Sequence, residues 1–201
     1  MPSAGYAQAY ITELSWAGSD LSIADEWMEI AAIGGSADLS GGWIASVEKT
    51  ATGSTEDMMV LFPPGSVIAS GSVFLVSNYS AAESRLALEP DLITTTVSLS
   101  NSFLWLRLYA ADGTLLDEVG GTKPFAGYSA QDGSSRASME RISLLSGTDV
   151  SAWASAEESL NLDEGALLFA TPGFTHMTDA VISSSSSSSS LPGSSSGIAI
   201  N

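Results

Sequence analysis

Tyr10-Ile11-Thr12-Glu13-Leu14-Ser15-Trp16-Ala17-Gly18-Ser19 opens the stretch that decides the fold, and Asp25-Glu26-Trp27-Met28-Glu29-Ile30 and Asp38-Leu39-Ser40-Gly41-Gly42-Trp43 complete it. Tyr10 to Leu14 mixes β-branched, aromatic and aliphatic residues, a strand signal. Trp16 to Asp20 breaks the run: Gly18 admits unusual backbone angles, and Ser19 and Asp20 cap their own turn. Glu26 to Ile30 then alternates. Met28 and Ile30 share one face, expected inward, and Trp27 and Glu29 share the other, with Trp27 over an outer face or an edge. Gly34 to Gly42 reads as a loop with Leu39 plugging into the core, and Trp43 to Val47 as the next strand. A hairpin followed by a Gly-Gly turn into a third run predicts an all-β fold.

The rest of the chain agrees. Lys49 to Asp57 is polar and reads as a hairpin connection, and Met58 to Phe62 as a strand stopped by Pro63-Pro64-Gly65. Val73 to Val76 suits a central strand. Ser80 and Glu83 have capping-box spacing, which predicts a short helix to about Ala87. Leu92 to Leu99 is rich in Thr and Val. Phe103 to Tyr109 is the densest strand signal, with Leu104, Leu106 and Leu108 expected in the core. Ala111-Asp112-Gly113-Thr114 is a hairpin turn and Leu115 to Val119 returns. Gly120 to Arg136 reads as a long irregular loop, Ser138 to Ile142 as a final strand, and Trp153 to Ala166 as a polar crossing. Ser183 to Ser190 is an unbroken serine run, expected to be a flexible linker because it offers no apolar surface to bury. The expected organisation is a disordered leader or signal-peptide remnant over 1–9, one domain over 10–174, and a disordered Ser-rich tail over 175–201.

Composition excludes some chemistries. Lys and Arg number 6 against 23 Asp and Glu, a formal charge of -17 over 201 residues. Such a surface repels phosphate backbones, so no direct nucleic-acid binding is expected. With no Cys there is no disulfide framework and no thiolate metal site. No apolar run reaches the ~18–20 residues of a membrane span. Ala7-Gln8-Ala9 resembles the cleavage end of a secretory signal whose preceding basic and apolar parts are missing: either the start is clipped, and the protein is expected to be extracellular or on the cell surface, or the resemblance is accidental and the location is open.

The order of motifs resembles the bacterial lamin-tail domain. That family opens with a strand ending in Glu plus an aliphatic residue and Trp-x-Gly-Ser, matched by Glu13-Leu14 and Trp16 to Ser19. It continues with Asp-Glu-Trp-x-Glu-aliphatic, matched by Asp25 to Ile30, and with Asp-Leu-Ser-Gly-Trp, matched by Asp38 to Trp43 with one extra glycine. Later matches are Asn101 to Leu108, Asp112-Gly113 with Asp117, Ser138-Met139-Glu140-Arg141-Ile142, and Thr171-Pro172-Gly173. The resemblance implies an immunoglobulin-like β-sandwich of lamin-tail type. It also implies a non-catalytic binding or structural module of an exported or cell-surface bacterial protein, with a protein or cell-surface partner. One alternative is an accessory domain of an exported nuclease or other hydrolase whose catalytic part lies outside this chain.

Residues that carry chemistry are few. The single His, His176, lies outside the expected domain, and there is no Cys and no Gly-x-Ser-x-Gly elbow, so no catalytic residue is assigned. Asp20, Asp25 and Glu26 share one short segment and are candidate calcium ligands, although they lack the alternating spacing of a calcium loop. No other cofactor is expected. Trp27 and Trp153 are the tryptophans expected to be partly exposed, and they carry the second alternative, a carbohydrate-binding module.

Overall fold

A computed structural model describes residues 8–130 and 132–177. Its strands are β1 (Gln8–Ser15), β2 (Trp27–Ile33), β3 (Ala37–Asp38), β4 (Trp43–Thr50), β5 (Gly53–Leu61), β6 (Val67–Ile68), β7 (Val73–Ser77) and β8 (Leu92–Ile93). They continue with β9 (Leu104–Tyr109), β10 (Leu115–Thr122), β11 (Tyr128–Ser129), β12 (Arg136–Ala137), β13 (Met139–Arg141), β14 (Trp153–Ser155) and β15 (Leu168–Phe169). The described helical structure is two 3-10 turns, Ala81–Glu83 and Val150–Ala152. The fold is all-β.

Two sheets dominate. One has the order β14-β13-β1-β2-β7-β8 and the other β10-β9-β4-β5. A three-stranded sheet, β11-β12-β15, and the pair β3-β6 complete the set. The main core draws on both large sheets: Ile11, Leu14, Met28 and Ile30 from the first, and Ile44, Val60, Leu104, Leu106 and Leu108 from the second. The three leucines of β9 are buried as their alternation requires, and Leu39 plugs the core as expected. Gly120, at φ +90°, lets β10 close on β9; a Cβ there would stand 2.1 Å from the Leu104 carbonyl oxygen.

The six-stranded sheet is buried on its outer face too. Trp27, Leu75, Leu86, Leu168 and Ala170 form a second cluster there, and Ala31, Ile33 and Met177 a third. The covering segments are the loop through Leu86 and the chain from Leu168 to Met177. Buried on both faces, β2 therefore carries apolar residues at inward and outward positions alike.

Several boundaries differ from the sequence reading. Strand β1 starts at Gln8, inside the expected leader; residues 1–7 and the Ser-rich tail from 178 lie outside the described residues. The polar Lys49–Asp57 stretch forms the arms of the β4–β5 hairpin, whose cross-strand partners are solvent-exposed and so leave no apolar signature. The Ser80–Glu83 box closes as a side-chain bond of 3.0 Å but yields only a single 3-10 turn. The 120–136 loop contains β11 and β12, and β12 runs parallel to β15. β13 is followed by β14 and β15, so Ser138–Ile142 is not the last strand. No described helix is long and apolar enough to cross a membrane.

Candidate functional site

Two places combine chemistry with geometry. The first is a groove of about 720 Å3 between the β4–β5 hairpin and the 96–103 loop. Apolar groups on its walls come from Met58, Met59, Phe103 and Leu104, and Ser46, Glu48 and Lys49 add polar groups. It lies beside β5, an edge of its sheet, whose residues Gly53 to Met58 are all exposed. An edge strand offers unpaired backbone N–H and C=O groups to another chain. Met58, at 59 % exposure, and Leu61 present apolar side chains along it. On the outer face, Arg107 binds Glu118 at 2.8 Å, also reaches Glu56, and lies 5.0 Å over the Trp105 ring. Tyr109 donates to Glu56 Oε2 at 2.9 Å and stacks on Trp43. This network stiffens the sheet up to its edge.

The second is a row of three glutamates across three adjacent strands. Register sets Glu13 of β1 opposite Glu29 of β2 on one side and Glu140 of β13 on the other. A β-bulge makes this possible. β1 slips between Ile11 and Glu13, so Ile11 and Leu14 both stay in the core while Thr12 and Glu13 face the outer layer. Glu13 and Glu29 are 1 % and 0 % exposed.

The segment after β15 seals this row. Glu13 Oε1 accepts from Ser138 Oγ at 2.6 Å and from the Thr171 N–H at 3.0 Å. Glu29 Oε2 accepts from the Gly173 N–H at 2.8 Å, and Glu29 Oε1 lies 2.8 Å from Thr12 Oγ1. Thr171 Oγ1 lies 2.8 Å from Glu140 Oε1 and 3.4 Å from Glu13 Oε2. His176 Nε2 reaches Glu140 Oε2 at 3.3 Å. Gly173 has φ +86°, the left-handed turn that aims its N–H at Glu29. No Lys or Arg among the described residues pairs with these carboxyls; Arg141, the next residue after Glu140, pairs instead with Asp117 at 2.7 Å. Burial therefore pushes the Glu13 carboxyl well above the usual carboxylate range, with the neighbouring Glu29 adding to it. Burial pushes Glu29 up to about 8.

The acids singled out from sequence are engaged separately by protein groups. Asp20 takes the Arg85 guanidinium, with Nε at 3.0 Å, and this contact holds its carboxyl below the usual range. Asp25 Oδ2 accepts from the Arg85 N–H at 3.0 Å, while its buried Oδ1 has no partner; burial raises this carboxyl. Glu26 accepts from the Leu99 N–H at 3.0 Å and is pushed up to about 7 by burial. Arg85 thus places a cation where calcium was expected, and no group of three or more acids or histidines among the described residues converges on a metal position.

The aromatic expectation needs correcting. Trp27 is 1 % exposed because the second core cluster covers the outer face of β2. Trp153 is 6 % exposed, donates from Nε1 to the Gly147 carbonyl at 3.0 Å, and lies under Arg141. Neither offers a ring face to a sugar. Sequence reasoning missed the glutamate row, although Glu13, Glu29 and Glu140 all stood in quoted motifs. The available signal was a Glu inside each of three short strand motifs. No family model, curated protein or solved structure matches the chain.

Proposed function

We propose that the chain is a non-catalytic interaction module, an immunoglobulin-like sandwich of lamin-tail type, that binds an extended segment of a protein partner in the groove beside β5. The observation that carries this is the open groove of about 720 Å3 alongside an unpaired edge strand. Such an edge takes an added strand through main-chain hydrogen bonds, and the pocket beside it supplies side-chain specificity. Glu48 on the groove and Asp57 on β5, within a chain of net charge -17, favour a partner segment carrying Lys or Arg among apolar residues.

The non-catalytic part is supported by the sealing of the glutamates. The carboxyls whose proton affinity suits acid-base work are closed off by Thr171 and Gly173, so no substrate reaches them. The lamin-tail part is supported by where the motif residues meet: Glu13, Glu29, Glu140, Thr171 and Gly173 come from four separate motifs and share one cluster. The exported, surface-displayed setting, with the Ser-rich tail as tether, rests on the resemblance alone, as does the accessory-domain alternative.

A displayed library of random peptides, selected against the full chain, tests the reading. Basic-apolar sequences should be enriched, and Phe103→Ala or the pair Glu48→Lys and Asp57→Lys should weaken them about tenfold or more, more so at low salt. Failure to enrich any sequence, or equal binding to all variants, would refute it.

A further inference from the structure

The glutamate row plays no part in the groove, and its hydrogen bonds raise a separate question. Hydroxyl hydrogens can be counted. Glu13 Oε1 already receives Ser138 Oγ and the Thr171 N–H. Thr171 Oγ1 has one hydrogen yet lies against two carboxyl oxygens, Glu140 Oε1 and Glu13 Oε2. Both contacts are hydrogen bonds only when a carboxyl supplies a proton. One assignment that makes both has Glu13 Oε2–H donating to Thr171 Oγ1, which donates to Glu140 Oε1. Glu29 poses the same question, since Thr12 Oγ1 stands 2.8 Å from Glu29 Oε1 and 3.4 Å from the Glu29 carbonyl. A proton on Glu29 Oε1 makes both into bonds, with Thr12 accepting from the first and donating to the second.

We propose that Glu13 and Glu29, set side by side with Glu140 across three strands, form a proton-operated latch: with the two protonated it holds the 171–177 segment on the sheet, and with them ionised it releases that segment while the main core stays folded. Each element packed on the row contributes a known group. β1 brings Thr12 and Glu13, β2 brings Glu29, and β13 brings Glu140, while the segment itself brings Thr171, Gly173 and His176. Ser138, just before β13, adds its hydroxyl. The partners that touch the carboxyls are neutral hydroxyls, backbone N–H groups and one imidazole. Ionising Glu13 and Glu29 side by side therefore creates like-charge repulsion, and no Lys or Arg among the described residues pairs with them to offset it.

Opening is the way that strain is relieved. The segment is tied down by the Thr171 and Gly173 bonds, by Asn161 Nδ2 donating to the Pro172 carbonyl at 2.8 Å, by His176 against Glu140, and by Met177 in a three-residue buried cluster. The main core contains no residue beyond Trp153. Losing the segment uncovers Ala31 and Ile33 of the small third cluster and leaves the main core packed. The elevated proton affinity of Glu13 and Glu29 places the switch toward mildly alkaline pH.

Hydrogen exchange on the full chain between pH 6 and 9.5, each amide corrected for its intrinsic rate, tests the latch. Protection of 171–177 should fall about tenfold or more across pH 7 to 9, while β9 stays within about threefold. Glu13→Gln combined with Glu29→Gln should flatten the fall. Three results would overturn the proposal: protection of 171–177 that does not change with pH, β9 losing protection in parallel, or a fall centred below pH 7 that His176→Ala abolishes. Should the double variant fail to fold, the comparison of the two segments in the natural chain decides by itself.

Discussion

Replacing Glu29 by Gln should make the protein more stable at alkaline pH and leave it unchanged in acid. The amide fits both contacts. Its nitrogen takes the Oε1 place and donates to Thr12 Oγ1, and its oxygen takes the Oε2 place and accepts from Gly173. It is thus a fixed copy of the protonated acid. The folded carboxyl holds its proton to about 8, against an ordinary 4.5. Burial therefore favours the neutral form, and the sign follows. The stability that the natural residue shares with Gln is complete below about pH 4.5. It declines as pH rises, because the unfolded chain ionises and the folded chain does not. Above about pH 8 the loss is complete. Each decade of proton affinity is worth about 1.4 kcal/mol, which gives on the order of 3–5 kcal/mol once relaxation of the 171–177 segment is allowed for. For a domain of this size that corresponds to roughly 10 °C in Tm. Thermal melts of both proteins at half-unit steps from pH 4.5 to 9.5 measure it. Curves that run parallel, or a natural protein that gains stability from pH 5 to 8, would refute the reasoning.

Leu106, in the main core and nearly fully buried, should cost about 2–5 kcal/mol on replacement by Ala, read by chemical denaturation. Asp117→Ala removes the carboxylate that pairs with Arg141 and accepts the Ile11 N–H, stranding a buried guanidinium. The expected loss is about 3–5 kcal/mol, and one below about 1 kcal/mol would mean that the Arg141 cation is held by its carbonyl and ring contacts instead. Because Arg85 already occupies Asp20, millimolar calcium should leave the melting midpoint where chelator leaves it. An occupied site at a hundred times its Kd would instead add about 2.7 kcal/mol.

The sequence was most legible where one face of a strand is buried. In β9 a strict alternation placed Leu104, Leu106 and Leu108 correctly. It is legible in a different way in β2, where alternation puts Met28 and Ile30 inward, as the structure does, but leaves Trp27 partly exposed, where the structure buries it. Periodicity says which face a residue is on, not whether a distant segment covers that face. The cover here arrives from Leu168 and Ala170, about 140 positions along the chain. The β4–β5 arms were missed for the opposite reason, because a projecting hairpin buries nothing and its strands read as polar connection. The glutamate row was hidden by the bulge. Strict alternation from Ile11 keeps Glu13 on the same face as Ile11, and only the extra residue at Thr12 turns it outward.

The formal charge of -17 counts every acid as ionised, and the fold contradicts that at the glutamate row. At pH 7 the folded chain retains a proton on Glu29, which titrates at about 8, and a share on Glu26, which titrates at about 7, and burial pushes Glu13 in the same direction. The unfolded chain retains none of these, so unfolding at pH 7 should release more than one proton. Calorimetric unfolding in two buffers of different ionisation enthalpy measures the number directly, as the difference in unfolding enthalpy divided by the difference in buffer enthalpy. Glu29→Gln should lower the count by about one, because it removes one stored proton and also relieves the repulsion that helps Glu13 hold another. Release is the discriminating sign. Carboxylates held in salt bridges have depressed proton affinity, release nothing near pH 7, and make a protein gain stability as acid is neutralised. An unfolding enthalpy that is the same in both buffers would mean that Glu29 and Glu26 are ionised in the folded state, and the contacts at Thr12 would then have to be satisfied in some other way.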